Sequence, residues 1–229
     1  MSTLIHSDIF ILTLVLGAYA IGLWVQKVSK TKLMHPIITS IALIISVLLL
    51  LDIDYPTFQN GSAFINFLLG PAVVALGYSL YENLSHVHGN KRAILTALVA
   101  GSLVGIISVV AICRLLQADQ TVIASLQPKS VTTPIALGLS IRSGGIPALT
   151  AIIVIASGIL GSVVGPWLLD KMGIKSRVAR GLAMGAAAHG IGTARAMEMG
   201  SVEGAIGGMA IGLMGIITAI LIPIIEQIL

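Results

Sequence analysis

Cysteine occurs once, at Cys113, and charged residues make up only 10% of the chain. One thiol inside the apolar run Ile106 to Leu116 excludes an intramolecular disulfide, a four-cysteine zinc site and a CxxC redox pair, and leaves a packed thiol as the expected role. The patterns of catalysis are also missing. There is no nucleophile elbow, no phosphate loop and no metal-ligand spacing, because His86 and His88 sit in a loop without partner ligands. Gly144-Gly145 and Gly190-Ile191-Gly192 lack the strand-to-helix context of a nucleotide fingerprint. No enzyme activity, cofactor or metal is expected. Nor is a cleaved leader: the first apolar run starts almost at once after Met1, without a basic segment before it or a small-residue cleavage site before Lys27. It reads as a retained transmembrane helix.

What is abundant is apolar surface. Of 229 residues 56% are hydrophobic and the mean hydropathy is +1.03, more than one aqueous core with a polar exterior can hide, so the chain is an integral membrane protein in contact with the lipid bilayer. A formal charge of +4 does not point to nucleic acid, because the Lys and Arg are scattered over short loops rather than gathered on a face. Runs long enough to cross about 30 Å of hydrocarbon occur near 9–26, 36–53, 62–81, 93–116, 147–169 and 205–226. The expected fold is therefore an all-α polytopic membrane protein with about six transmembrane helices.

Two further segments, 121–143 and 178–200, carry short apolar pieces interrupted by Gly, Pro, Ser or Thr, and are read as re-entrant hairpins or broken spanning helices. Loop charges favour hairpins. Lys27, Lys30 and Lys32, then Lys91 and Arg92, then Lys171, Lys175, Arg177 and Arg180 all fall on the cytoplasmic side, with both termini outside, only if 121–143 enters and leaves by one face. The two segments also resemble each other at an offset of 60, Thr133-Pro134-Ile135-Ala136 against Thr193-Ala194-Arg195-Ala196, and each leads through glycines into an apolar span that holds a proline, Pro166 or Pro223. A hairpin plus a span crosses an odd number of times, so the second copy would be an inverted repeat, as in many secondary transporters; shared small-residue bias is the alternative.

These segments hold the candidate site. Nine of the thirteen Lys and Arg belong to cytoplasmic loops, leaving Arg114, Lys129, Arg142 and Arg195. Lys129 and Arg195, beside Ser130, Thr132, Thr133 and Thr193 and the backbone N–H groups freed around Pro134 and Gly192, suit an anion such as a carboxylate. The plainer alternatives are that Lys129 and Arg142 reach the headgroups and that Arg195 forms a structural ion pair with Glu198. His189 is a substrate ligand, a titrating coupling group or a hydrogen-bonded structural histidine, and Glu198 either orients Arg195 or carries a coupling proton. Asn66, Gly70, Pro71, Tyr78 and Tyr81 are candidates for the cavity wall, or only for a bend in the third span. Gly181-Gly185 and Gly204-Gly208 would let helices pack closely, whatever the function.

At these positions the chain resembles the LrgB/CidB family of bacterial membrane proteins from about residue 60 to the C-terminus, more loosely upstream. The motifs are Leu69-Gly70-Pro71-Ala72-Val73-Val74-Ala75-Leu76 leading to Leu80-Tyr81, then Pro128 to Ala136, Gly144-Gly145-Ile146-Pro147-Ala148-Leu149-Thr150-Ala151, and His189 to Ala196 followed by Glu198. Gly77-Tyr78-Ser79 departs from the family, where a proline is expected before the Leu-Tyr. The resemblance implies one of two functions in the bacterial cytoplasmic (inner) membrane. One is secondary transport of small monocarboxylates such as pyruvate, lactate, glycolate or glycerate, together with a small LrgA/CidA-type membrane partner; a related plastid protein exchanges glycolate and glycerate. The other is antiholin-like or holin-like modulation of murein hydrolase export, autolysis and programmed cell death. The polar residues at depth favour transport. Residues 1–60 are expected to be N-terminal scaffold and 61–229 the transport core, in a homo-oligomer with a dimer favoured.

Overall fold

The structure, a computed structural model, describes residues 7–29, 35–82, 89 and 91–228, so His86 and His88 lie outside the described residues. Among the described residues every regular element is a helix. The chain forms two compact units, Met1–Ala75 and Leu76–Leu229, and the limit between them falls inside a helix, past the expected 60/61 boundary.

In the first unit, α1 (Asp8–Ser29) packs on α2 (Pro36–Leu50), and a short α3 (Tyr55–Gly61) follows before α4 (Ala63–Glu82) begins. The α1–α2 contact is close because Gly22 lies against the Pro36 carbonyl, where a Cβ would approach within 2.6 Å. The Ser40 hydroxyl secures the same place, donating to the carbonyls of Pro36 (2.6 Å) and Ala18 (3.2 Å). The run expected at 36–53 stops at Leu50. Asp52 takes a left-handed φ of 53°, and the Asp54 carboxylate caps α3 by accepting from the Thr57 N–H at 3.2 Å.

The second unit holds α5 (Lys91–Leu115), α6 (Gln120–Leu126), α7 (Thr133–Arg142), α8 (Pro147–Lys171), α9 (Arg177–Met199) and α10 (Ser201–Ile228). By length and composition α1, α5, α8 and α10 can each cross a membrane unaided; α2, with 15 residues, is shorter. With its broad exposed apolar surface, Leu115, Val104, Ile152, Leu160, Ile216 and Ile220 among it, the chain is a multi-pass membrane protein. At the end of α8 the Lys171 ammonium lies 5.0 Å from the Trp167 ring centroid, an aromatic and cationic pair suited to a membrane interface.

Both broken segments turn back on themselves. In 120–142 the rising arm is α6 and the turn residues after it, and α7 descends. The rising arm is tied to the start of α8 beyond the descending one: the Ser125 hydroxyl, which donates to the Thr121 carbonyl within α6 (2.7 Å), accepts from the Ile146 N–H (2.7 Å). In α9 the helical path breaks at Ala188 (φ −131°, ψ 19°) and His189 (φ 40°, ψ −130°). The reversal is sharp enough that a Cβ on Gly192 would strike the Met184 carbonyl. Thus 178–200 is a hairpin of two short arms.

Neighbours give the directions. Going up α8, Gly158 faces His189, Gly161 faces Ala188 and Gly165 faces Met184, so α8 and the first arm of α9 are antiparallel. Gly181 abuts Glu203 and Gly185 abuts Gly207, so that arm is parallel to α10. Hence α8 and α10 run in opposite directions, each preceded by a hairpin, which is the inverted arrangement expected from the offset of 60. The core between them holds Leu98, Val131, Ala136, Val154, Ile206, Ala210 and Met214, while Cys113 packs in a second cluster with Ile106, Val110, Ile222 and Ile225.

Candidate functional site

The tips of the two hairpins meet the middle of α8 within one turn of each other. From the first, the Lys129 carbonyl accepts from the Ser157 hydroxyl at 2.8 Å; that hydroxyl lies 2.9 Å from the Val154 carbonyl. From the second, the His189 Nε2 lies 2.9 Å from the same Val154 carbonyl. A carbonyl only accepts, so Nε2 carries the hydrogen in this arrangement. One turn of α8 therefore links a main-chain oxygen of the first tip to the imidazole of the second. The ring is buried, and its residue holds a backbone conformation that costs a non-glycine residue about 1–3 kcal/mol. Strain of that size persists where surrounding contacts determine it, and the α8 glycines let the ring seat so deeply.

Lys129 brings the cation. It is half-buried just past the end of α6, and its Nζ donates to the Ser130 hydroxyl at 3.1 Å. Thr132 is the N-cap of α7 but makes no side-chain capping bond, and Thr133 and Pro134 open the helix. The first turn of α7 thus offers its positive end beside the Lys129 segment, an arrangement that favours a small anion. On the second hairpin Gly192 is wedged against Met184 and Ala188, and Thr193 is buried with an Oγ1 that lacks a hydrogen-bond partner.

The other candidates are defined by their own contacts and exposure. Arg195 pairs with Glu198 three residues on, with both side chains largely exposed (41% and 65%), as the ion-pair alternative anticipates. Arg142 is exposed in the last turn of α7. Asn66, Gly70, Pro71, Tyr78 and Tyr81 all lie on α4, where the side chains of Asn66, Tyr78 and Tyr81 are exposed. Among the described residues no cluster of three or more His, Cys, Asp or Glu has the arrangement to hold a metal ion. The residues missed from sequence are Ser157 and the Val154 carbonyl. Their signal is the run Gly158, Gly161 and Gly165, a small-residue face against which the His189, Ala188 and Met184 side chains pack closely.

The LrgB-like family matches residues 15–228 of the chain. The chain belongs to that family. This LrgB-like protein is 33% identical over 216 residues to the holin-like protein CidB of Staphylococcus epidermidis, covering 94% of this chain and 93% of that one. It is 34% identical over 207 residues to the antiholin-like protein LrgB of Bacillus cereus, covering 90% of each. An uncharacterized protein of Haemophilus influenzae is 32% identical over 216 residues, covering 94% of each. No solved structure matches the LrgB-like chain.

Proposed function

We propose that this chain is a secondary transporter of small monocarboxylates in the bacterial cytoplasmic membrane, acting with a small LrgA/CidA-type membrane partner and as a homo-oligomer, with a dimer favoured. The observation that carries the reading is the meeting of two inverted hairpins at the middle of α8, with Lys129 and the uncapped first turn of α7 on one side and His189 on the other. Broken elements at membrane depth are tolerated where they line a polar path or are buried in protein, and inverted hairpins around one site are a recurring basis of alternating access. A carboxylate would sit on Lys129, Ser130 and the α7 N-terminus, with His189 and Ser157 keeping the tips in register. The pair Arg195–Glu198 would lie on the solute's route rather than at its seat.

The relatives' names, holin-like and antiholin-like, favour a second reading: a modulator of murein hydrolase export and autolysis without a substrate of its own. The two separate in proteoliposomes. With labelled pyruvate and glycolate, and the small partner co-reconstituted, the native chain is expected to take up substrate saturably, and Lys129→Gln to lose about tenfold or more, the worth of a charge-assisted hydrogen bond. Absence of saturable uptake by well-folded native protein would remove the transport reading and leave the modulator.

A further inference from the structure

Where α8 ends, the chain builds a cationic elbow on top of an apolar stripe. Gly173, at φ 70°, stops the helix: its N–H and that of Ile174 donate to the carbonyls of Asp170 (3.0 Å) and Leu169 (2.9 Å), which turns the chain back. Arg180 fixes the turn, its Nη1 donating to the Ile174 carbonyl (3.1 Å) and to Asp170 (2.6 Å), whose carboxylate is the only one in 170–180. Lys171, Lys175 and Arg177 are left exposed, with no ion pair among the described residues. The first arm of α9 starts in the same elbow, after its Ser176 cap, and adds the positive end of a helix.

Three loop cations alone are ordinary membrane topology. The stripe beside them points to a ligand. Ala156, Leu160, Val164 and Trp167 are exposed on one face of α8, at steps of three or four, and Lys171 continues the row. From Leu160 to Lys171 the row is about 16 Å long, the depth of one leaflet of hydrocarbon. Trp167 closes its apolar part at headgroup level, with the Lys171 ammonium 5.0 Å from the ring centroid. We propose that the elbow binds a phospholipid of net negative headgroup from the cytoplasmic leaflet, its phosphate on Lys171, Lys175 and Arg177 and one acyl chain along Trp167, Val164 and Leu160. A zwitterionic lipid brings a cation of its own to these side chains and gains less. A free phosphate ion carries the charge but has nothing to lay on the stripe. Because the elbow opens the arm that ends at His189, the lipid holds the base of the second hairpin to the leaflet, whichever function the chain performs.

Brominated phospholipids quench a tryptophan that they touch, and the chain has two, Trp24 and Trp167. In the full chain carrying Trp24→Phe, Trp167 alone reports. The protein is reconstituted in phosphatidylcholine vesicles with rising fractions of brominated phosphatidylglycerol or brominated phosphatidylcholine. Half-maximal quenching is expected at a roughly tenfold lower fraction of the brominated phosphatidylglycerol, since each cation near the headgroups contributes about fivefold. Lys175→Gln combined with Arg177→Gln should erase most of that preference, while unchanged quenching by brominated phosphatidylcholine shows that the variant folds. Lys91→Gln combined with Arg92→Gln, the same change of charge at the start of α5, should leave the preference intact. Equal quenching by the two lipids, or a preference reduced as much by the α5 pair, would overturn the site. So would an absence of quenching by either lipid, with the stripe covered by another copy of the chain. Displacement of brominated phosphatidylglycerol by inorganic phosphate at fixed ionic strength would make the ligand a free ion and overturn the lipid.

Discussion

Replacing Gly158 by alanine tests the seat of the second hairpin on α8. A Cβ built there would stand 2.7 Å from His189 Cε1, 2.8 Å from Nε2 and 2.9 Å from Ile191 Cδ1. The ring is 5% exposed and held to the Val154 carbonyl at 2.9 Å, so it yields only by giving up that bond. Overpacking of this kind costs about 1–3 kcal/mol, and loss of the hydrogen bond about 0.5–1.5 kcal/mol more. The better helix propensity of alanine offsets about 1 kcal/mol. The net destabilisation is about 1–3 kcal/mol, which for a chain of this size lowers the melting temperature by roughly 3–10 °C. Gly138 supplies the control: it lies on an exposed face of α7 with no atom within 4 Å of an added Cβ, so Gly138→Ala should melt at or slightly above the native temperature. Thermal unfolding of the three proteins in one detergent is the assay. A Gly158→Ala protein that melts as high as Gly138→Ala would refute the packing of the His189 turn against α8.

The tie between α6 and the start of α8 offers another test: Ser125→Ala leaves the Ile146 N–H without its acceptor, which costs about 1–3 kcal/mol, and hydrogen exchange at Ile146 should accelerate; unchanged protection would count against the tie. Arg180, whose Nη1 donates to Asp170 at 2.6 Å and to the Ile174 carbonyl at 3.1 Å, clips the loop between α8 and α9. Because Asp170 is 66% exposed, Arg180→Ala should cost only about 0.2–1 kcal/mol, and the difference from native should shrink in high salt; a salt-independent loss would contradict that account. Arg195→Ala should shift stability by less than about 1 kcal/mol, since both members of its ion pair are largely solvated. A larger drop in melting temperature would mean that the arginine is structurally embedded.

Much of the architecture was legible because its causes are local. Helices recur at each apolar run, since backbone groups in lipid must satisfy one another within a segment and hydropathy reports where that is required. Pro134 and the glycines marked the broken segments, and the parity of a hairpin plus a span already implied an inverted second copy. Two features escaped. The break in α9 falls at Ala188 and His189, neither of which is a glycine or proline, because contacts with α8 rather than local propensity hold His189 at a positive φ. The second run ends at Leu50 because Asp54 starts a new helix, a capping choice that the apolar pattern through 53 concealed.

The sequence by itself determined residence in the membrane, the helical class, the family and the two interrupted stretches, because composition, hydropathy and helix-breaking residues act over a few turns of chain. Only the tertiary structure decided which polar groups belong together. Ser157 is separated from Lys129 by 28 residues, His189 from Val154 by 35 and Ser102 from Thr218 by 116, so no spacing along the chain relates them. Each looks like an ordinary polar residue in an apolar run until close helix packing brings its partner within hydrogen-bond distance.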